Sequence, residues 1–107
     1  MRGEIYALGA SRDARGHEQK GRRYAVVVQS DLLPLSTWLV APTSAGARPA
    51  SFRPEIEVQG KTTRVLAEQT TAVDPQRLGD HVGTLTLDEQ RAVDAALITV
   101  LGLDRGA

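Results

Sequence analysis

The 107 residues contain no cysteine and only two histidines. The first absence removes disulfides, thiolate nucleophiles and thiolate metal ligands together. The two histidines, His17 and His81, lack helical two-histidine spacing, so no metal centre is expected. Glycine-rich phosphate loops of the Walker or dinucleotide type are missing as well. No window approaches ~18 consecutive apolar residues, which argues against a membrane span. The opening "MRGEIYALGA" carries one arginine and too short an apolar stretch for a signal peptide. Neither sign of charge is in excess, since 13 basic and 13 acidic side chains give a net charge of zero. The whole-chain field therefore does not advertise a nucleic-acid partner. What remains is a cytoplasmic protein without a cofactor and without a membrane partner.

A hydrophobic fraction of 41% suits a folded globule, and the length suits one domain spanning residues 1–107. The charge is unevenly spread. Residues 1–54 hold eight basic and four acidic side chains, and residues 55–107 hold five and nine, so the halves carry +4 and −4. This is either ordinary surface scatter or one cationic face able to carry phosphates.

Along the chain, Gly3 to Leu8 reads as a strand and Gly9 to Gly21 as a long charged loop. Loops of that length in small domains are disproportionately functional. Arg23 to Ser30 is the strongest strand, around the apolar run Ala25-Val26-Val27-Val28. Trp38 to Ala41 is a further strand that Pro42 should stop, followed by the polar loop "TSAGARPAS". Pro54 to Val58 alternates polar and apolar as a half-buried strand does. Gly60-Lys61 turns the chain into "TTRVLAE", a fifth strand. Asp74-Pro75 has the form of a helix start, and His81 to Leu85 that of a last short strand. Thr86 and Glu89 form a capping box. Val93, Ala96, Leu97, Val100 and Leu101 then build one helical face that Gly102 ends. The sum is mainly β with α: a small, strongly bent antiparallel barrel with a C-terminal helix against it.

The chemistry centres on "GHEQKGRRYAVVVQS", where two arginines run directly into a strand of valines. Successive strand residues point to opposite faces, so Arg22 and Arg23 cannot share a surface. Guanidinium is permanently charged and forks onto phosphate oxygens. An arginine fixed at the start of a rigid strand is a good phosphate clamp; the alternative is a salt bridge to Glu18 or Glu4. His17 and His81 are an alternative acid–base pair for phosphodiester cleavage. Tyr24 and Trp38 either stack on a base or belong to the core.

Five segments then form a series: "RGEIY", "GHEQKGRRYAVVVQSD", "LVAPTS", "LAEQTTAVDPQRLG" and "VGTLTLDEQRAVDAALITVLGL". In order and spacing they resemble the MazF/PemK (Kid) toxins of toxin–antitoxin systems, over nearly the whole chain. The resemblance implies a small SH3-like barrel of the CcdB/PemK type. It also implies a metal-independent endoribonuclease that cuts single-stranded messenger RNA at short sequences, works as a homodimer and is silenced by a cognate antitoxin protein. The family's functional arginine falls on Arg23, where Tyr24 replaces the proline that follows it in the family pattern. Its functional threonine falls on Ser44, with Thr43 directly before it, so either residue can supply the operative hydroxyl. The glutamate of the "GxEQ" stretch falls on Glu18, and the acidic-Gln pair on Glu68-Gln69. Gyrase-binding CcdB toxins share the barrel but end in Trp-Gly-Ile, whereas this chain ends "LGLDRGA". A catalytically silent antitoxin-binding or RNA-binding module is the remaining alternative.

Cleavage without a metal most simply uses the 2′-hydroxyl of the substrate and leaves a 2′,3′-cyclic phosphate and a 5′-hydroxyl. Arg23 suits stabilisation of the charge growing on phosphorus, and Ser44 a hydrogen bond to the same oxygens. Glu18 or His17 is the ordinary proton acceptor. Arg22, Lys20, Arg15 and Arg12 suit backbone phosphates, with Thr43 and Gln69 as further RNA contacts. The apolar "DLLPLSTWLV" either plugs the barrel or covers a homodimer interface.

Overall fold

A computed structural model describes residues 1–8 and 23–104. Seven strands form one antiparallel sheet: β1 Glu4–Leu8, β2 Tyr24–Val27, β3 Trp38–Ser44, β4 Glu55–Val58, β5 Lys61–Val65, β6 Thr71–Val73 and β7 Leu78–Thr84. Their order is β4-β5-β3-β2-β1-β7, with β6 paired to β3. Helix α1, Leu87–Leu101, closes one side. The expected bent sheet with a C-terminal helix is the architecture observed.

Period-two burial sorts the strands into two faces. Ile5, Tyr24, Val26, Ala41, Ile56, Val65 and Val93 belong to one buried cluster, so this inner face packs on α1. Ala25, Val27 and Val40 form a second cluster on the outer face, with Tyr6, Leu8, Trp38, Val73 and Leu78 half-buried around it. The run Ala25–Val28 is buried on both sides for this reason, as a continuous apolar strand requires.

The helix follows its sequence signals. Thr86 Oγ1 accepts from Glu89 N–H while the Glu89 carboxylate accepts from Thr86 N–H, the reciprocal pair of a capping box. Gly102 ends it at φ 68°, in the left-handed region that lets its N–H return to the last turn. At the β4–β5 hairpin, Gln59 at φ 52° and Gly60 at φ 82° make the two-residue mirror-image turn that matches strand twist.

Several boundaries differ from the sequence expectation. β3 runs through Pro42 to Ser44 instead of stopping before it. "TTRVLAE" leaves the sheet at Val65 and continues as a 3-10 turn over Ala67–Gln69. Asp74 does cap, accepting from Gln76 N–H, but Pro75–Arg77 is a single 3-10 turn, because the apolar spacing needed to dock a helix is missing. β7 begins at Leu78, and β6 has no counterpart in the sequence reading. The charged loop expected over Gly9 to Gly21 lies outside the described residues.

Candidate active site at the end of strand β3

Strand β3 changes partners along its length. Trp38–Val40 pair with β6 and Val40–Pro42 with β2, whereas Thr43–Ser44 pair with β5. Pro42 sits at the changeover, and the register explains why it is tolerated. Val28 N–H donates to the Leu39 carbonyl, so hydrogen-bonded places recur at 26/41 and 24/43. Ala25/Pro42 falls between them, where the ladder asks no N–H of the proline on the β2 side. Its carbonyl accepts from Leu66 N–H at 2.8 Å.

At the next place side chains replace the ladder. Tyr24 N–H donates to Thr43 Oγ1 at 3.0 Å, and Arg23 Nε donates to the Thr43 carbonyl at 3.0 Å. The threonine hydroxyl takes the bond a carbonyl would have taken, and the freed carbonyl holds a guanidinium. Thr43 is 0% exposed. It therefore supports this corner from beneath, whereas the sequence reading set it among the RNA-contacting residues. Tyr24 is buried too, which assigns its ring to the core and away from base stacking.

The β2–β3 register ends at Ala25/Pro42; extended by two pairs, past Tyr24/Thr43, it sets Arg23 opposite Ser44. On its other side Ser44 pairs with Arg64, and Arg64 pairs with Glu55. Residues paired across strands share a face. Burial agrees: Tyr24, Thr43, Val65 and Ile56 point in, while Arg23, Ser44 and Arg64 are half-buried and Glu55 is exposed. A row Ser44–Arg64–Glu55 thus crosses β3, β5 and β4 on the outer face, with Arg23, just before β2, in line beyond the serine.

The cations are held by acceptors. Arg64 donates from Nη2 to Glu55 Oε2 and from Nη1 to the Arg53 carbonyl, each at 3.0 Å. Arg53 donates from Nε and Nη2 to Glu68 Oε2 at 2.9 and 2.6 Å, and from Nη1 to the Arg48 carbonyl at 3.2 Å. Its guanidinium stands 5.6 Å from the Phe52 ring centre. Burial pushes the Glu68 carboxyl up, but the Arg53 hydrogen bonds and charge prevail and hold it below its ordinary value. Together these bonds tie the segment 48–55 to the 3-10 turn that carries Glu68 and the exposed Gln69.

Of the residues singled out in the sequence, the structure brings Arg23, Thr43 and Ser44 together. Glu18, His17, Lys20, Arg22, Arg15 and Arg12 lie outside the described residues. His81 stands elsewhere, on β7, with its ring 5.3 Å from Tyr6 and Nε2 4.0 Å from Glu4. There the N-terminal amine bonds the Glu4 carboxylate and overcomes burial, with Tyr6 and His81 adding to it, so that carboxyl titrates below its ordinary value. Sequence reasoning missed Arg53 and Arg64. Arg64 precedes the buried Val65, which marks it as outward-facing, but nothing in the sequence pairs it with Ser44.

A serine flanked in the sheet by two arginine positions is suited to a phosphodiester. The family model described as PemK-like, MazF-like toxin of type II toxin–antitoxin systems matches residues 1–101. The chain belongs to that family. It is 43% identical over 104 residues to the candidate toxin Rv3098A of Mycobacterium tuberculosis, covering 96% of this chain and 98% of that one. A mycobacterial endoribonuclease solved with its cognate antitoxin shares the fold at TM-score 0.77 and 20% identity, over 96% of this chain and 95% of its own. MazF from Deinococcus radiodurans superposes at TM-score 0.72 with 25% identity, over 94% of each chain. This MazF-type chain thus carries the family fold over nearly its full length. Among the described residues, no helix is long and apolar enough to cross a membrane.

Proposed function

We propose that this MazF/PemK-like toxin is a cytoplasmic, metal-independent endoribonuclease that cuts single-stranded messenger RNA at short sequences. The observation that carries this reading is Arg23 held through Nε by the carbonyl of Thr43, the residue before Ser44. A guanidinium fixed at Nε can fork its terminal nitrogens onto a phosphate. As the 2′-hydroxyl attacks phosphorus, charge grows on the non-bridging oxygens. Arg23 meets it with a charge already in place, and Ser44 adds a hydroxyl donor. Arginine stays protonated throughout, so proton transfer falls to Glu18 or His17. The products are a 2′,3′-cyclic phosphate and a 5′-hydroxyl, with Arg22, Lys20, Arg15 and Gln69 along the RNA backbone.

The test is cleavage of a long transcript in EDTA with analysis of the fragment ends. A cyclic phosphate in the wild type and no cleavage by Arg23→Ala support the reading. Cleavage that stops in EDTA, or intact RNA at micromolar protein, overturns it.

The functional unit is a homodimer. Tyr6, Leu8, Trp38, Val73 and Leu78 are half-buried apolar residues around the outer-face cluster, and Leu32, in the apolar segment before Trp38, is 88% exposed. An antitoxin with an acidic segment competes with RNA for the cationic residues of the first half of the chain, and its affinity falls with salt.

A further inference from the structure

Arg64 was assigned no role by the sequence, yet it occupies the β5 side of Ser44 as Arg23 occupies the β2 side. We propose that Arg64 is a second phosphate-contacting residue, gripping the phosphodiester at Ser44 from the strand opposite Arg23. This inference rests on the ribonuclease reading.

Position comes first. Ser44 and Arg64 are direct cross-strand partners, a relation that puts Cβ atoms about 5 Å apart on one face. The inner face beneath them is closed by Thr43 and Val65, both fully buried, so neither side chain has anywhere to turn but outward. The guanidinium is also restrained, its head held on the β4 side, so that it meets a phosphate at Ser44 by releasing Glu55. The Arg53 carbonyl takes one nitrogen at 3.0 Å, and the Arg53 side chain is itself anchored on Glu68. Glu55, which takes another nitrogen, has a side chain 58% exposed. A pair so open to solvent is weak and screened, and it yields readily to a phosphate. Glu55 then acts as a stand-in that keeps the fork extended while the site is empty. Arg53 and Glu68 position Arg64 without touching RNA.

The experiment measures binding and cleavage separately. Binding uses a 2′-O-methyl copy of a cleaved RNA, which resists attack, over a salt series. Arg64→Ala is expected to weaken binding about tenfold and to reduce the slope of log affinity against log salt by about 0.7, the share of one phosphate contact on single-stranded RNA. Single-turnover cleavage should show the loss mainly in the half-saturating concentration. Arg64→Lys keeps the charge and should retain the slope. Glu55→Gln removes the competing carboxylate and should leave affinity unchanged or raised. Arg91→Ala, on the far side of the sheet where α1 packs, serves as the control and should change nothing.

An unchanged salt slope in Arg64→Ala overturns the proposal, as does a Glu55→Gln variant that loses affinity equally, which would mean that the pair is structural. If Arg64→Ala does not fold, the lysine and Glu55→Gln variants decide by the same readings. A wild type that binds the methylated RNA but never cuts the unmodified one refutes the ribonuclease reading and leaves Arg64 still testable by its slope.

Discussion

The two ends of β3 are built on one strand and solved differently. At Trp38–Val40 the strand lies between β2 and β6, its outward residues Trp38 and Val40 are apolar, and the one side chain that enters its ladder is an uncharged amide, Gln29 Oε1 accepting from Leu39 N–H at 3.1 Å. At Thr43–Ser44 it has left β6 for β5, and side chains of Thr43 and Arg23 make the bonds. At the first end the recruited group is a neutral amide and the residues on the outer face are apolar, so that end offers an apolar surface. Where the strand changes neighbours, a charged side chain is drawn into the backbone network and loses its freedom. Arg23 is held at Nε for that reason, and a held guanidinium is what a reaction on a phosphate requires.

The sharpest way to break this contrast is at Arg23. Arg23→Ala should lower single-turnover cleavage on the order of a hundred- to a thousand-fold with an unchanged circular dichroism spectrum. Ser44→Ala should follow it in kind, whereas Arg22→Ala should alter affinity and salt dependence more than turnover. Normal cleavage by Arg23→Ala and Ser44→Ala would move the site elsewhere.

At the opposite end, Trp38→Glu should convert dimer to monomer at micromolar concentration, read by light scattering, because it sets a charge in the apolar patch. A wild-type monomer would remove the reason for that patch.

A third test compares two buried threonines. Thr43→Val removes the acceptor of Tyr24 N–H and should cost about 1–3 kcal/mol in urea unfolding, with activity lowered as Arg23 loses its register. Thr43→Ser should restore both. Thr63 is also buried, but its hydroxyl has no partner among the described residues. Thr63→Val should therefore change stability by less than about 0.5 kcal/mol, or raise it. Equal losses at both positions would show that the Thr43 bond contributes nothing special.

The smallest expected effect is acid sensitivity. Glu68 titrates below its ordinary value of 4.5 in the folded chain. Its contribution to stability is therefore present above pH 4.5 and disappears as pH falls through the lower folded value. Glu68→Gln should be less stable than wild type at neutral pH and converge with it in acid. Parallel curves would exclude the Arg53 pair as their source.

Much of this fold was legible because local signals suffice for it. The capping box at Thr86 and Glu89 and the glycine at 102 delimit α1, and alternation around Ile56 and Val58 gives β4. Pro42 misled because a proline's effect depends on whether its N–H faces a partner, which is a property of the register. Asp74-Pro75 misled in the opposite way: the cap was correct, but a cap without an apolar face starts no lasting helix.

The site divides similarly. Arg23 was singled out by its place at a strand start and by the family resemblance, and Ser44 by the resemblance alone. Arg64 and Arg53 were not, and Thr43 appeared as an RNA contact when its hydroxyl is consumed inside the sheet. The sequence by itself determined the alternation of faces, the helix and its caps, and the residue types able to hold a phosphate. Only the tertiary structure decided which strands lie side by side, because pairing joins residues distant in the chain through backbone groups that every residue carries. That is why Ser44 stands in the sheet between the positions of Arg23 and Arg64, 21 before it and 20 after it in sequence.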